Sequence, residues 1–177
     1  MKKVFLVILG IGFFSAAALA QKGKNEISPA LDVTLPIGEF SDVCPVGLGV
    51  TVKGLYGVGE AGQITLTTGY STFGAKKEIK DAIGASKMRQ SIIPILAGYR
   101  HNFDGFYAEP QVGYGIWASK IKGGIIDGSE SEGAFTWAAG VGYVYKSFDA
   151  GLRYQSSHKN GSSRGMIGLR VGYNFSL

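Results

Sequence analysis

The feature that most constrains this chain is an alternation of oily and polar residues, repeated about eight times, in which every charge keeps to one parity. Period-2 alternation is the signature of strands with two unlike faces. Seven segments show it clearly: Ile27–Ile37, Leu48–Tyr56, Gln63–Phe73, Phe106–Ala118, Ala134–Tyr145, Ala150–Ser156 and Ile167–Leu177. An eighth, Ser91–Arg100, is apolar on both parities, so its inward face is not decided by pattern. The last segment is the cleanest: Ile167, Leu169, Val171, Tyr173, Phe175 and Leu177 alternate with Gly168, Arg170, Gly172 and Asn174. Across the segments the oily parity holds no Asp, Glu, Lys or Arg. The opposite parity holds Asp32, Lys53, Arg100, Glu109, Arg153 and Arg170, with many Gly, Thr and Gln.

Eight strands enclose just enough space for modest side chains. Tyr, Phe and Trp from every strand do not fit there, so the bulky parity points outward. An outward face that is apolar and uncharged all round aggregates in water, so its solvent is lipid. Only helices and closed barrels satisfy all their backbone polar groups in lipid. No stretch after residue 20 is apolar for long enough to span as a helix. The expected fold is therefore all-β: a closed, eight-stranded, antiparallel up-and-down transmembrane barrel.

The connections fit that topology. Residues 38–46, 74–90, 119–133 and 157–164 are long and polar, whereas 57–62, 101–105 and 146–149 are short. Long extracellular loops and tight periplasmic turns have this pattern. Aromatics fall near the expected membrane edges: Tyr56, Tyr99, Phe106, Tyr143, Tyr145, Tyr173 and Phe175 at the periplasmic ends, Phe73, Phe135 and Trp137 at the outer ends. Inside, each buried charge needs a partner. Closure of the barrel makes Asp32 and Arg170 neighbours, and Glu109 is in reach of Arg100 or Arg153. A packed, ion-paired lumen argues against an open pore. Pro94 and Pro110 each remove a ladder hydrogen bond, for which bulges are the expected remedy.

Residues 1–20 have the form of a secretory signal peptide: Lys2 and Lys3, an apolar run over 4–14, then Ala18-Leu19-Ala20. Cleavage there leaves a mature barrel domain of residues 21–177 destined for a Gram-negative outer membrane. Removing two lysines from 18 basic residues leaves 16 against 13 acids, a net +3, too mild and too scattered for nucleic acid. Cys44 is the only cysteine, so the fold holds without an internal disulfide.

With these residues in place, the chain resembles the small outer-membrane β-barrels of the porin family, OmpX-like and similar to the barrel half of OmpA. Leu35-Pro36-Ile37-Gly38-Glu39-Phe40 is similar to the first outer turn of many such proteins. The ending Gly168 to Leu177 resembles the C-terminal signal read by the barrel-assembly machinery, carried here by Val171, Tyr173, Phe175 and Leu177. That signal typically ends in an aromatic; here Leu177 is last and Phe175 stands two before it. The resemblance implies insertion by that machinery and a monomeric barrel; with the last segment ending the given sequence, the peptidoglycan-binding domain that follows the barrel in OmpA-type proteins is not expected. It does not imply an activity.

Candidate chemistry is sparse. Some barrels of this kind are lipid A deacylases with a His-x-Ser pair at the outer rim; Ser156-Ser157-His158 has the reverse order. A Ser–His pair is an activated nucleophile only when a third group orients the ring. His101 is expected to anchor at the periplasmic interface. Two distant histidines and one cysteine do not make a metal site, and no cofactor is implied. Lys76, Lys77, Lys80, Lys87 and Arg89 outnumber Glu78 and Asp81 in one outer loop, a candidate contact for anionic lipopolysaccharide or another surface. Loop 119–133 is acidic through Asp127, Glu130 and Glu132, and Cys44 is a candidate reactive thiol. The expected function is a non-enzymatic structural or surface-interaction scaffold for envelope integrity or adhesion. A narrow small-solute channel is the alternative, and a lipid A-modifying enzyme a further one. A soluble lipocalin-like barrel is the rival at the level of fold.

Overall fold

A computed structural model describes residues 25–82, 84, 86–123 and 128–177. The expected signal peptide, Ile83, Asp127 and the Lys80 side chain lie outside what it describes. The strands are β1 Glu26–Ile37, β2 Gly47–Val58, β3 Gly62–Gly74, β4 Lys87–Phe103, β5 Phe106–Lys122, β6 Gly128–Tyr145, β7 Phe148–Lys159, β8 Ser162–Tyr173 and the two-residue β9 Phe175–Ser176. Two short helices, α1 Glu39–Val43 and α2 Lys77–Ala82, lie in the first and second outer loops. Each strand from β1 to β7 pairs antiparallel with the next, and β1 pairs with both β2 and β8, so the sheet closes. β9 continues β8 against β1 in the same register, which makes this an eight-stranded up-and-down barrel.

Side-chain distribution is inverted relative to a water-soluble protein. Leu31, Leu48, Val50, Tyr114, Val141, Leu152 and Val171 are exposed, while Asp32, Lys53, Arg100, Glu109, Thr67 and Arg170 are buried. An exposed apolar belt of this extent has lipid as its solvent. Tyr99, Phe106, Tyr143, Tyr145, Tyr173 and Phe175 are exposed at the end of the short turns, as are Phe135 and Trp137 toward the other end. Tyr56 is half-buried. Phe73 departs from the expected girdle: it is 0% exposed and points inward, because it shares parity with Thr65, Thr67 and Ser71.

The structure also settles the parity of β4. Ile92, Leu96 and Arg100 face in; Ile93, Ile95 and Tyr99 face out. The prolines need no bulges. The β3–β4 ladder lapses beside Pro94 between Thr68↔Ile95 and Ser71↔Ile92 and resumes in the same register. The β4–β5 ladder lapses beside Pro110 and resumes at His101↔Ala108. Each ring removes one N–H, and the two neighbouring ladders hold the strand in place.

The outer loops are shorter than the pattern suggests, because β4, β5 and β6 run 17, 17 and 18 residues and rise beyond the belt. Most of 119–133 is strand. Residues 157–164 are a hairpin with a two-residue turn, Asn160 (φ 48°) and Gly161 (φ 82°). Two successive positive φ values are the hairpin turn that Asn-Gly adopts most readily.

Candidate functional site

The lumen is built in two layers. Its periplasmic half is a polar network. Lys53 Nζ lies 2.5 Å from Glu109 Oε2. Arg100 donates to the same oxygen through Nε at 3.1 Å and Nη2 at 3.0 Å. Thr65 and Gln111 donate to Glu109 Oε1 at 2.8 and 2.9 Å. Arg100 Nη2 also reaches Asp149 Oδ2 at 3.0 Å, and Arg170 Nη1 reaches that oxygen at 2.9 Å. Tyr107 donates its hydroxyl to Asp149 Oδ1 at 2.7 Å, and the Arg100 guanidinium lies 3.7 Å from the Tyr107 ring centre. Both carboxylates are thus multiply satisfied, the condition under which buried charge is tolerated.

One expected partnership holds in the structure, Glu109 with Arg100, and the other reads differently. Asp32 and Arg170 are opposite in register, yet Arg170 turns to Asp149, and Asp32 accepts from Thr51 Oγ1 at 2.7 Å. Glu109 is bonded to Arg100 and, across the lumen, to Lys53. Arg153 faces the lumen from β7 but makes no ion pair within 4.0 Å among the described residues. Asp149 escaped the sequence reading because 146–149 reads as a turn. The available signal was the inward parity of Gly151 and Arg153 continued two residues back.

The outer half holds an apolar cluster beside buried Ser71, Thr136 and Ser157. Phe40 from α1 enters the barrel mouth and packs on Phe73 (5.2 Å between ring centres) and Trp117 (5.4 Å), both edge-on. Cys44, Ile92, Ala134 and Met166 complete the cluster. Lys76 N–H donates to Val43 C=O at 2.9 Å, which ties the second outer loop to the first. Cys44 is fully buried in this cluster. Burial pushes its thiol up to about 11, against weaker opposite pulls from Arg164 and Lys76. Burial and the raised value both disfavour the thiolate at neutral pH, so the structure lends no support to a reactive role for Cys44.

A cavity of about 410 Å³ opens at the periplasmic end, with Arg100, Gln63, Asn102 and Lys146 in its lining. Another of about 630 Å³ opens at the outer end, with Trp117, Glu132, Lys159 and Arg164 in its lining. The ion-pair network and the Phe40 cluster stand between them.

The remaining candidates lie apart. Ser156 Oγ is 2.9 Å from His158 Nε2, and Trp137 Nε1 donates to the same nitrogen at 3.2 Å. The lone pair that would take the serine proton is therefore shared with an indole N–H. No carboxylate is bonded to the ring among the described residues, so the orienting group of an activated serine is missing. His101 stacks edge-on to Phe103 at 4.5 Å between ring centres and lies 3.4 Å from the Tyr99 hydroxyl, on the periplasmic rim. Among the described residues no cluster of His, Cys, Asp and Glu has metal-holding geometry. Lys76 and Lys77 lie at or beside α2, whereas Lys87 and Arg89 belong to β4.

A closed sheet with an apolar exterior, a filled polar interior and long strands on one side defines a small transmembrane β-barrel of the outer membrane. The chain matches the family described as outer membrane protein beta-barrel domain over residues 6–175, and it belongs to that family. Among solved structures it is similar to Ail, the attachment invasion locus protein of Yersinia pestis (15% identity, 88% of this chain and 100% of that one, TM-score 0.67). It is also similar to the N-terminal β-barrel domain of Pseudomonas aeruginosa OprF (16%, 87% and 100%, 0.59) and to Neisserial surface protein A (13%, 86% and 97%, 0.56). At these identities the likeness is one of fold. No curated protein matches the sequence.

Proposed function

We propose that the protein is an outer-membrane scaffold that presents its outer loops for surface contact and conducts no solute. Residues 1–20 direct export, and residues 21–177 form the mature barrel. Val171, Tyr173, Phe175 and Leu177 serve as the signal for the barrel-assembly machinery, and the barrel works as a monomer surrounded by outer-membrane lipid and lipopolysaccharide. The observation that carries this reading is the double seal of the lumen: Glu109 and Asp149 bind Lys53, Arg100 and Arg170 below, and Phe40 fills the mouth above. The scaffold's working surface is then the outer end, where Lys76, Lys77, Lys87 and Arg89 stand. The shared fold with a protein named for attachment and invasion supports the same reading.

Planar-bilayer recording of the refolded protein tests the seal; stable openings in the wild type would refute it. Substitution of Lys76, Lys77, Lys87 and Arg89 by Gln, followed by whole-cell binding to host-cell and abiotic surfaces, tests the working end without cutting into β4, and unchanged binding would remove those residues from the function. The Ser156–His158 contact keeps lipid A modification as a second reading. Lipid A mass spectra from cells expressing wild type and His158→Ala decide it: the scaffold reading expects identical spectra.

A further inference from the structure

We infer that the middle of the lumen holds a small monovalent anion, of the size of chloride, between Arg153 of β7 and Arg170 of β8. This adds a ligand to the sealed lumen and does not depend on what the outer loops contact.

The luminal charges do not balance. Asp32, Glu109 and Asp149 bring three negative charges to the interior, and Lys53, Arg100, Arg153 and Arg170 bring four positive ones. Lys53, Arg100 and Arg170 each hold a carboxylate oxygen at 3.0 Å or less, and Arg153 holds none among the described residues. Asp32, the remaining acid, attracts Arg153 from a distance, and its carboxylate is bonded to the Thr51 hydroxyl at 2.7 Å. Asp127 does not reach: β6 runs twelve residues from Gly128 to Gly140, the register partner of Arg153, a span of roughly 40 Å. An ion taken out of water needs a partner, and this one lacks it.

The wall around Arg153 is also where the lumen leaves room. A Cβ added at Gly98, Gly113, Gly115, Gly142, Gly151 or Gly172 would meet another atom at 2.1–2.8 Å. At Gly140 and Gly168 the nearest atoms stand at 3.4 and 3.6 Å. These two are the register partners of Arg153, one on each side. Arg153 is accordingly half-buried, while Asp149 below it and Gln155 above it on the same face are buried.

Donors converge on this space. Gly151 is opposite Arg170 in register, so Arg153 and Arg170 are diagonal neighbours with Cβ atoms about 7 Å apart. Arg170 commits Nη1 to Asp149 and Nη2 to Ser28, and its Nε is buried with no partner among the described residues. Across Gly168 from Arg153, the Thr34 hydroxyl stands 3.6 Å from the place of the added Cβ. Two guanidiniums side by side repel each other. One anion between them removes that repulsion, supplies the missing charge and accepts the spare N–H groups. The room left by two glycines suits a single small ion.

The test is thermal unfolding of the full refolded chain in phosphatidylcholine vesicles, in sodium chloride, sodium bromide or sodium gluconate at equal ionic strength. Chloride and bromide should raise the wild-type unfolding temperature by several degrees over gluconate and should saturate, as linkage to a bound ion requires. Arg153→Met, similar in shape and uncharged, should melt alike in all three salts, and in gluconate no lower than the wild type. Gly168→Asp, which sets a carboxylate opposite Arg153, should gain stability in gluconate and lose the response to chloride. An equal chloride response in wild type and Arg153→Met overturns the site, because the effect is then one of salt in general. A wild type that refolds only with chloride or bromide, beside an Arg153→Met that refolds in all three salts, supports it. Anomalous scattering from wild-type crystals grown in bromide needs no variant to fold. It should show a peak between Arg153 and Arg170, and a map with water alone at that place overturns the proposal.

Discussion

Replacing Glu109 with Gln isolates the electrostatic part of the luminal seal. The amide keeps an oxygen to accept from Thr65 and Gln111, which lie 2.8 and 2.9 Å from Oε1, so the neutral bonds survive. Arg100 retains Asp149 at 3.0 Å. Lys53 has no second acid within 4.0 Å among the described residues, so the substitution strands one buried ammonium, not two charges. Removing one member of a buried pair typically costs about 3–5 kcal/mol, and with a single stranded ion the low end applies, about 3 kcal/mol. With a urea slope of about 2 kcal/mol/M, the unfolding midpoint falls by about 1.5 M. The assay is equilibrium urea unfolding of the refolded barrel in lipid vesicles, followed by the fluorescence of Trp117 and Trp137. Lys53→Met removes the stranded ion. The double variant Glu109→Gln, Lys53→Met should therefore be more stable than Glu109→Gln alone, with a coupling of about 2 kcal/mol. If the two single costs simply add within about 0.5 kcal/mol, the pair is not coupled and the reasoning is wrong.

The other expectations concern the mouth, the wall and the second carboxylate. Phe40→Ala should expose Cys44 beneath it: maleimide labelling of the folded wild type should be slow at neutral pH and climb only as pH approaches about 11, whereas the variant should label many-fold faster at pH 8. Gly113 faces the β4 backbone so closely that a Cβ there would collide with the Ile95 carbonyl oxygen and lie 3.0 Å from Leu96 Cα. Gly113→Ala should accordingly reduce the heat-modifiable, folded band on a gel, while Gly54→Ala, with open space around it, should leave that band intact. Asp149→Asn should destabilise more than Asp32→Asn in the same urea assay, since Asp149 bonds two guanidiniums and Asp32 is held by the Thr51 hydroxyl.

The barrel was legible because one physical demand governs each face of each strand. Lipid excludes charge from Leu31, Val50, Val112, Val141 and Leu169, and the lumen gathers it at Lys53, Glu109 and Arg170; a period of two records both demands at once. Where the demands agree, the pattern is mute. β4 contributes apolar side chains to the upper lumen, so Ile92 and Leu96 facing in look the same as Ile93 and Ile95 facing out, and β4 had no readable parity. The same cause misplaced Phe73. An aromatic near a strand end looks like a lipid anchor until another aromatic, Phe40, arrives from a loop to give it an inner partner.

The site was harder to read than the wall, because two of its four buried ion pairs among the described residues, Lys53–Glu109 and Arg100–Asp149, cross the barrel and do not follow the sheet. Register puts Asp32 beside Arg170 and Arg100 beside Glu109, and of these neighbours only the second pair bonds. Lys53 on β2 meets Glu109 on β5, and Arg100 on β4 meets Asp149 on β7, each three strands away around the circumference. In an eight-stranded barrel the lumen is narrow enough for a Lys or Arg stem to span. A long cation is therefore free to choose among acids on distant strands, and it settles where the remaining lone pairs are also satisfied. Asp149 wins both arginines because Tyr107 already holds its other oxygen at 2.7 Å. Alternation fixes which residues enter the lumen. Their pairing is decided by the length of the side chains and by the hydroxyls that prepare each carboxylate, and neither is written in the spacing of the sequence.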